Sequence, residues 1–162
     1  MKKNFYIFLD IDGVLYDWEY IKGLMREGKI KKGGKITAFK PESIEALNYL
    51  IEKKSKEYNV NLVISSTWRH YMDAIVEKLK AAGLRYDGEF SRTPISGDSK
   101  KRGFEVKSYL ANKVNFDYVI IDDEICDYYK YFEPSKVIKT ELYEHALNKE
   151  MIDTYLNKVN KR

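Results

Sequence analysis

FYIFLDIDGVLYDWEY, residues 5–20, joins a nearly continuous apolar run to two carboxylates, Asp10 and Asp12, and a glycine. Runs of this kind are typical of strands that are buried on both faces of a parallel sheet. Asp-Gly pairs often end a strand in a simple turn, so this stretch alone is compatible with a turn as well as with a chemical site. The polar residues that follow the other strands decide between these two interpretations.

Three further apolar runs, separated by helical patterns, indicate the fold class. The runs are residues 61–65, 117–122 and 136–140, and the amphipathic patterns cover residues 41–58, 69–84, 102–114 and 145–159. Strands that alternate with helices predict βαβ units with helices on both faces of the sheet. We therefore predict an α/β fold, a Rossmann-like three-layer sandwich with a mainly parallel sheet, in a single domain over residues 1–162.

Two stretches lack a clear period and are predicted to be irregular. The first, at about residues 16–40, is rich in lysine and includes Lys29, Lys31, Lys32 and Lys35 beside the Gly33–Gly34 pair. We predict that it forms a small basic insertion, or flap, after the first strand instead of a separate cap domain. Its lysines fit a solvated loop or a patch that receives the backbone of a nucleotide or nucleic acid. The second stretch, residues 87–101, is predicted to be a loop.

The composition bounds the cellular context. The 162 residues carry a formal net charge of +4, a mild basic excess that is compatible with an anionic partner. A single cysteine, Cys126, excludes an internal disulfide and suits a reducing compartment. No apolar stretch is long enough to cross a membrane. We therefore expect a cytoplasmic protein without a membrane partner, and the composition leaves its oligomeric state open.

Polar residues follow three of the predicted strands, and a basic cluster begins the third predicted helix. They are Asp10 and Asp12 after the first strand, Ser65 to Arg69 after the second, Asp122 and Asp123 after the third, and Lys100, Lys101 and Arg102 at the helix. In open parallel sheets, ligands bind outside the carboxyl ends of the strands. We therefore expect these side chains to meet at one edge of the sheet.

One type of reaction uses every one of these groups. Carboxylates bind a hard divalent cation such as Mg²⁺ through oxygen. A carboxylate beside the metal can attack phosphorus to form an aspartyl-phosphate, and a second carboxylate can serve as general acid and then as general base. A hydroxyl and the amides at a helix start bind phosphoryl oxygens, and a basic side chain offsets the negative charge. The pattern therefore indicates phosphoryl transfer.

Four motifs follow one another in the chain: DIDGVL (residues 10–15), VISS (63–66), a basic residue before a helix, and VIIDD (119–123). In this order they resemble the haloacid dehalogenase (HAD) superfamily, over a span from Phe5 to about Lys139. The resemblance implies that Asp10 is the nucleophile and Asp12 the general acid/base. It further implies phosphate-binding hydroxyls at Ser65 and Ser66, and an Mg²⁺ site formed by Asp10, the backbone carbonyl of Asp12, Asp122 and Asp123.

Finer features of the motifs point to a branch of this superfamily. The presence of Asp12 implies phosphoryl transfer and argues against the dehalogenase and phosphonatase branches, which lack this second acid. SSTWR (residues 65–69) and RGFEV (102–106), with the short insertion, resemble the HAD domain of Swiss Army Knife RNA repair proteins. The deoxyribonucleotidase branch shares the DGVL start and is an alternative. The family's third motif is a single basic residue, and here Lys100 and Arg102 are both candidates for it.

Three side chains near the motifs are candidate substrate contacts. Tyr16 and Trp18 could stack on a nucleobase, and Arg69 could bind a phosphate or a base. The alternative for Tyr16 and Trp18 is an apolar flap that packs on the body of the domain, and the alternative for Arg69 is a surface salt bridge. We therefore expect a Mg²⁺-dependent phosphatase that acts on a nucleotide or a nucleic-acid end. The alternatives are a deoxyribonucleotidase-like phosphatase of small molecules and a nucleic-acid- or protein-binding module that keeps the motifs without turnover.

Overall fold

The computed structural model describes residues 1–33 and 38–161. These residues form a five-stranded parallel sheet with α-helices on both faces. The strands are β1 (Lys3–Leu9), β2 (Tyr58–Ile64), β3 (Ser91–Arg92), β4 (Phe116–Asp122) and β5 (Val137–Lys139). The helices are α1 (Trp18–Arg26), α2 (Pro41–Ser55), α3 (Met72–Ala81), α4 (Arg102–Leu110) and α5 (Lys149–Asn160). The α/β fold with a parallel sheet, which the alternating pattern predicted, is confirmed.

The side chains of β1 alternate between two apolar cores, one on each face of the sheet. Phe5, Ile7 and Leu9 pack in the larger core, to which α1, α2, α3 and α5 contribute. Tyr6 and Phe8 pack in the smaller core together with side chains of α4. Full burial of one such side chain stabilises the fold by about 1.5–3 kcal/mol relative to exposure. Burial on both faces thus explains why the run is continuously apolar.

The order of the strands places β1 at the centre of the sheet. The order is β3-β2-β1-β4-β5, so the chain winds outward from β1 in one direction and then returns to its other side. This reversal between β1 and β4 is the point at which open parallel sheets bind ligands. Leu9 pairs with Ile64 of β2 and Ile121 of β4. The residues that follow these three strands therefore lie at one level of the carboxyl edge.

The insertion after β1 begins with a helix, and its prediction as an irregular segment is wrong for α1. Asp17 caps this helix by accepting a hydrogen bond from the backbone N–H of Tyr20, and the helix buries Ile21 and Leu24. The helix has only nine residues and contains Gly23, and both features lower its intrinsic helix propensity. Asp17, a residue type that is favoured at helix N-caps, was the signal in the sequence that a helix begins here. Of the basic stretch predicted here, Gly34 and Lys35 lie outside the described residues.

The second stretch predicted as a loop, residues 87–101, contains strand β3. Ser91 and Arg92 pair in parallel with Val63 and Ile64 of β2. Two residues are too few to show an alternating pattern, so this strand exists only because a paired neighbour is present. Among the described residues, no helix combines the length and the apolar character that crossing a membrane requires.

Candidate active site

Three carboxylates meet where β1 and β4 end. Carboxylate oxygens of Asp10, Asp122 and Asp123 all lie within 4.8 Å of one another. The backbone places Asp10 there, since its N–H continues the sheet by donating to the carbonyl of Ile121 at 3.0 Å. Burial, and then the charge of Asp122, raise the pKa of Asp10 well above its usual range. Burial also raises the pKa of Asp123 to about 6.

This set of donors fits a hard divalent cation. Mg²⁺ and Ca²⁺ take oxygen ligands, and Mg²⁺ is commonly held by one or two carboxylates together with water and phosphate oxygens. The crowding of Asp10, Asp122 and Asp123 raises the cost of their negative charge, which a bound cation would offset. The three side chains predicted from the sequence as metal ligands, those of Asp10, Asp122 and Asp123, are therefore brought together.

Arg102 is the basic residue that contacts this cluster. Its Nη1 atom lies 3.0 Å from Oδ1 of Asp10 and 3.1 Å from Oδ2 of Asp122. Arg102 is the first residue of α4, so the start of that helix delivers the positive charge. Lys100 and Lys101 are exposed, and neither forms an ion pair with another described residue. The structure thus separates Arg102 from Lys100, two candidates that adjacency in the sequence left open.

Asp127 fixes the start of α4 from outside the helix. Its carboxylate accepts hydrogen bonds from the N–H groups of Gly103, at 2.6 Å, and Phe104, at 3.3 Å. A Cβ atom at Gly103 would approach Oδ1 of Asp127 to 2.8 Å, so the glycine allows the close approach. This cap holds the helix that carries Arg102. Asp127 was not predicted, because a cap from 24 residues away has no local signal in the sequence.

Asp122 is oriented by hydrogen bonds of its own. The hydroxyl of Tyr128 donates to its Oδ2 at 2.6 Å, and the N–H of Glu124 donates to its Oδ1 at 3.0 Å. Tyr128 is fully buried in the smaller core, where burial and the charge of Asp122 raise the pKa of its hydroxyl well above the usual range. Tyr128 was not predicted either, because no motif marks it.

Asp12 is not one of the three clustered carboxylates, and its side chain is held by Tyr16. The Tyr16 hydroxyl donates a hydrogen bond to Oδ1 of Asp12 at 2.7 Å. Burial, and then this bond, raise the pKa of Tyr16. The ring of Tyr16 is packed in the larger core, so it is not placed to stack on a base. The structure therefore assigns Tyr16 to the support of Asp12, in place of the predicted substrate contact.

Gly13 allows the loop after β1 to approach the loop after β4. Its φ of +75° is in the left-handed region, and a Cβ atom there would lie 2.3 Å from Oδ2 of Asp123. The hydroxyl of Thr140, which follows β5, donates a hydrogen bond to the Gly13 carbonyl at 2.7 Å. Thr140 was not predicted as a site residue, although it directly follows a strand, where open parallel sheets bind ligands.

Ser65 and Ser66 have different surroundings. The N–H of Ser65 donates to the carbonyl of Leu9, which places Ser65 beside Asp10, and its buried hydroxyl has no hydrogen-bond partner among the described residues. An unpaired buried hydroxyl costs about 1–3 kcal/mol, which a ligand oxygen would recover. The hydroxyl of Ser66 accepts from the N–H of Trp68 and caps the short 3-10 helix Thr67–Tyr71. Ser66, predicted to bind phosphate, caps this helix as an acceptor, and because its O–H can still donate, its binding of phosphate stays a prediction.

The predicted substrate contact at Arg69 is instead a buried ion pair. Its Nη1 lies 2.7 Å from Oε2 of Glu105 and donates to the hydroxyl of Thr93 at 2.7 Å. The side chain is 5% exposed, so the surface salt bridge considered as the alternative is also wrong. These contacts join the segment after β2 to α4. Both Nη atoms of Arg69 are thus engaged within the fold, whereas its buried Nε has no hydrogen-bond partner among the described residues.

Trp18 is the predicted contact that stays at the surface. It is the first residue of α1 and is 37% exposed, and its ring contacts the ring of Tyr143. It is not part of the carboxylate cluster. A cavity of about 430 Å³ lies elsewhere, between β5 and α5, and its lining contains none of the clustered carboxylates. The chemistry of the side chains, and not the volume of a cavity, therefore identifies the candidate site.

Comparison with known proteins supports the motifs. The family model described as the HAD domain in Swiss Army Knife RNA repair proteins matches residues 6–152. No curated protein matches the chain, and no solved structure matches it. The family match covers most of the chain and includes Asp10, Ser65, Arg102 and the two acids after β4. The chain therefore belongs to the family of HAD domains found in Swiss Army Knife RNA repair proteins.

Proposed function

We propose that this protein is a Mg²⁺-dependent phosphatase that acts through an aspartyl-phosphate at Asp10. The observation that carries the proposal is the meeting of Asp10, Asp122 and Asp123 within 4.8 Å, with Arg102 bridging the first two. Membership of the HAD family indicates a phosphatase or related hydrolase. The structure adds a specific distribution of charge and hydrogen-bond donors that suits this chemistry.

The three clustered acids would hold the metal ion. Asp10, Asp122 and Asp123 supply the oxygen donors, and Tyr128 and Arg102 keep Asp122 oriented. When bound, Mg²⁺ would neutralise part of the charge of the acids and of the phosphoryl oxygens. Arg102 would offset the negative charge that the cation does not neutralise. Such fixed positive charge favours a transition state in which charge develops on phosphoryl oxygens.

In the first half of the reaction, a carboxylate oxygen of Asp10 attacks phosphorus. The bond from phosphorus to the leaving oxygen breaks, and the electron pair stays on that oxygen, which takes a proton from Asp12. This role requires Asp12 to be protonated at the start and correctly turned, and the hydrogen bond from Tyr16 restricts its orientation. The unpaired hydroxyl of Ser65 donates to a phosphoryl oxygen, which gives this buried group its partner.

In the second half, Asp12 acts as the general base. Its carboxylate takes a proton from a water molecule as the water oxygen attacks phosphorus. The bond between phosphorus and Asp10 breaks, its electron pair returns to the carboxylate, and inorganic phosphate is formed. Asp12 is again protonated and Asp10 is again free, so the protein is unchanged after one cycle.

We further propose that the substrate is a nucleotide or a nucleic-acid end. The description of the family as a domain of RNA repair proteins supports this substrate class. The described part of the insertion after β1 also supports it, because that part is small and packs on the core through Tyr16, Ile21 and Leu24. An insertion of this size adds no separate domain over the site, which suits a substrate as large as a polynucleotide end.

Hydrolysis of an aryl phosphate tests the proposal. We expect turnover by the wild type with Mg²⁺, loss of turnover with a chelator, and loss in Asp10→Asn. The matched control is Asp87→Asn, which changes an exposed acid that precedes β3, on the amino side of that strand, and should retain activity. Turnover that survives in Asp10→Asn would overturn the assignment of the nucleophile.

A second screen would use mononucleotides and oligonucleotides phosphorylated at the 3′ or the 5′ end. Preferential hydrolysis of these substrates supports the proposed substrate class. Absence of turnover on the aryl phosphate and on every nucleotide, combined with salt-sensitive binding of oligonucleotides, would replace the phosphatase by a binding module that keeps the motifs.

A further inference from the structure

Two aromatic side chains contact each other at the protein surface. Trp18 is 37% exposed and Tyr143 is 75% exposed. Their ring centroids are 6.5 Å apart, and the ring planes meet at 65°. Single exposed apolar residues are common on soluble proteins and need no explanation. Two large rings that contact each other in water form a surface of defined shape, which we call the aromatic pair.

The aromatic pair belongs to the edge of the sheet that carries the clustered acids. Trp18 follows Asp12 by six residues, so their Cα atoms are at most about 20 Å apart, and a turn at Ile11 shortens this path. Tyr143 follows Thr140, which is bonded to the Gly13 carbonyl. The N–H of Trp18 also donates to the carbonyl of Leu142 at 2.7 Å. The two rings thus lie on segments that leave the same edge.

Asp17 holds these two segments in a fixed relation. One carboxylate oxygen caps α1, and the other accepts hydrogen bonds from Lys40, at 2.7 Å, and from the N–H of Ala146, at 3.2 Å. Asp17 is 2% exposed, so water competes little for these bonds. The aromatic pair is therefore presented by a fixed backbone, and a ligand that stacks on it would lose little free energy in ordering the protein.

We propose that Trp18 and Tyr143 form a nucleobase-binding subsite next to the phosphatase site. The subsite would hold a base of the nucleotide or oligonucleotide whose phosphate is delivered to Asp10, and this inference rests on the proposed function. Every nucleobase has a π face, so stacking on aromatic rings tolerates any base sequence. Two rings are far smaller than the roughly 800 Å² that a stable protein interface buries on each partner. A base is the ligand that matches their size and chemistry.

A kinetic experiment compares substrates with and without a base. The probes are an oligonucleotide and a mononucleotide that carry a terminal phosphate, and ribose 5-phosphate as the base-free substrate. Stacking contributes about 1–3 kcal/mol per base, so Trp18→Ala and Tyr143→Ala should each lower kcat/KM for the oligonucleotide by about tenfold or more. Neither change should alter kcat/KM for ribose 5-phosphate by more than about twofold.

The matched control is Tyr129→Ala. Tyr129 is an exposed tyrosine, 51% accessible, in the short helix Tyr128–Lys130, and its removal should leave all three substrates unchanged. Equal losses on the oligonucleotide and the mononucleotide would place a single base on the aromatic pair. A loss confined to the oligonucleotide would identify a polynucleotide end as the source of the base. Losses of similar size on ribose 5-phosphate would overturn the subsite, because they would indicate a general effect on the fold.

A binding experiment separates the subsite from the phosphatase. The chain has two tryptophans, so Trp68→Phe leaves Trp18 as the only indole. Quenching of its fluorescence by an unphosphorylated oligonucleotide, with an apparent Kd about tenfold higher after Tyr143→Ala, would support the subsite even if no substrate is hydrolysed. That result, without hydrolysis, would overturn the proposed function alone. Hydrolysis of oligonucleotides with no quenching, and with no effect of Trp18→Ala, would overturn the subsite alone.

Discussion

The hydroxyl of Tyr16 donates a hydrogen bond to Oδ1 of Asp12 over 2.7 Å. The ring of Tyr16 is fixed in the core, so a partly exposed carboxyl group is held by a buried anchor. We expect Tyr16→Phe to lower kcat for phosphate esters by about tenfold, as part of the 10²–10⁴-fold contribution of a positioned acid/base is lost. Loss of one hydrogen bond should destabilise the fold by only about 1 kcal/mol.

The control for this change is Tyr71→Phe, which removes the hydroxyl of a tyrosine that is 68% exposed. Steady-state kinetics and urea unfolding of both variants provide the measurements. An unchanged kcat in Tyr16→Phe would show that the hydrogen bond from Tyr16 to Asp12 does not contribute to catalysis.

Arg102 and Lys100 are two residues apart, and only Arg102 contacts the clustered acids. The positive charge of Arg102 lowers the pKa of Asp10, against the larger effects of burial and of Asp122. In Arg102→Ala, a larger fraction of Asp10 should be protonated and unable to attack phosphorus. We expect kcat near neutral pH to fall about 100-fold, with a smaller loss in Arg102→Lys. Lys100→Ala should change kcat by less than about twofold, and a loss as large as that of Arg102→Ala would contradict the assignment.

Ser65 and Ser66 provide a pair of variants with opposite expectations. Ser65→Ala removes a buried hydroxyl that has no partner among the described residues, so the free energy of unfolding should stay constant or rise. Its kcat/KM for phosphate esters should nevertheless fall by about tenfold or more. Ser66→Ala removes the cap on Trp68 and should destabilise the fold by about 1 kcal/mol. Urea unfolding measures the stabilities, and a reversed order would show that the two roles are exchanged.

Asp123 should make the metal-free protein less stable as the pH rises. Burial raises the pKa of its carboxyl group from 3.8 to about 6, so the folded state binds more protons than the unfolded state between these values. Stability is then present at low pH and is lost as the pH rises through this window, by well below the roughly 3 kcal/mol of an unscreened group, because water screens this partly exposed carboxylate. Mg²⁺ binds the ionised form, so adding it should restore stability at neutral pH more than at about pH 4.

The comparison with Asp123→Asn isolates this effect, because the amide has the same shape and does not ionise. Urea unfolding in chelator at about pH 4 and about pH 7 gives the difference between the two proteins. If the free energies of unfolding of the wild type and of Asp123→Asn changed by the same amount between the two pH values, the destabilising charge would not reside at Asp123.

The fold and the centre of the candidate site could be predicted because they depend on strong local patterns. A strand buried on both faces must be apolar along its length, and the sheet brings the ends of such strands together. Those two facts were sufficient to nominate Asp10, Ser65, Asp122 and Asp123. The helix α1 and the two-residue strand β3 were missed, because the first is short and contains a glycine and the second depends on its neighbour.

The supporting residues could not be predicted because they act across the fold. Asp127 caps a helix that begins 25 residues earlier in the chain, and Tyr128 reaches Asp122 from the smaller core. The choice between Lys100 and Arg102 depends on where α4 begins, and a row of basic residues does not encode that boundary. Arg69 was misjudged because its partner Glu105 lies 36 residues away in the sequence.

The central place of β1 also has a consequence for how the protein folds. Asp10 reaches Ser65 when β1 pairs with β2, whereas it reaches Asp122 only when β1 pairs with β4, whose residues are more than 100 positions away. Closing so long a loop is entropically costly, and contacts of this separation slow folding. A partly folded chain that has joined β1 to β2 alone would therefore have Asp10 without Asp122 and Asp123. If the proposed function is correct, binding of the cation would report that folding is complete.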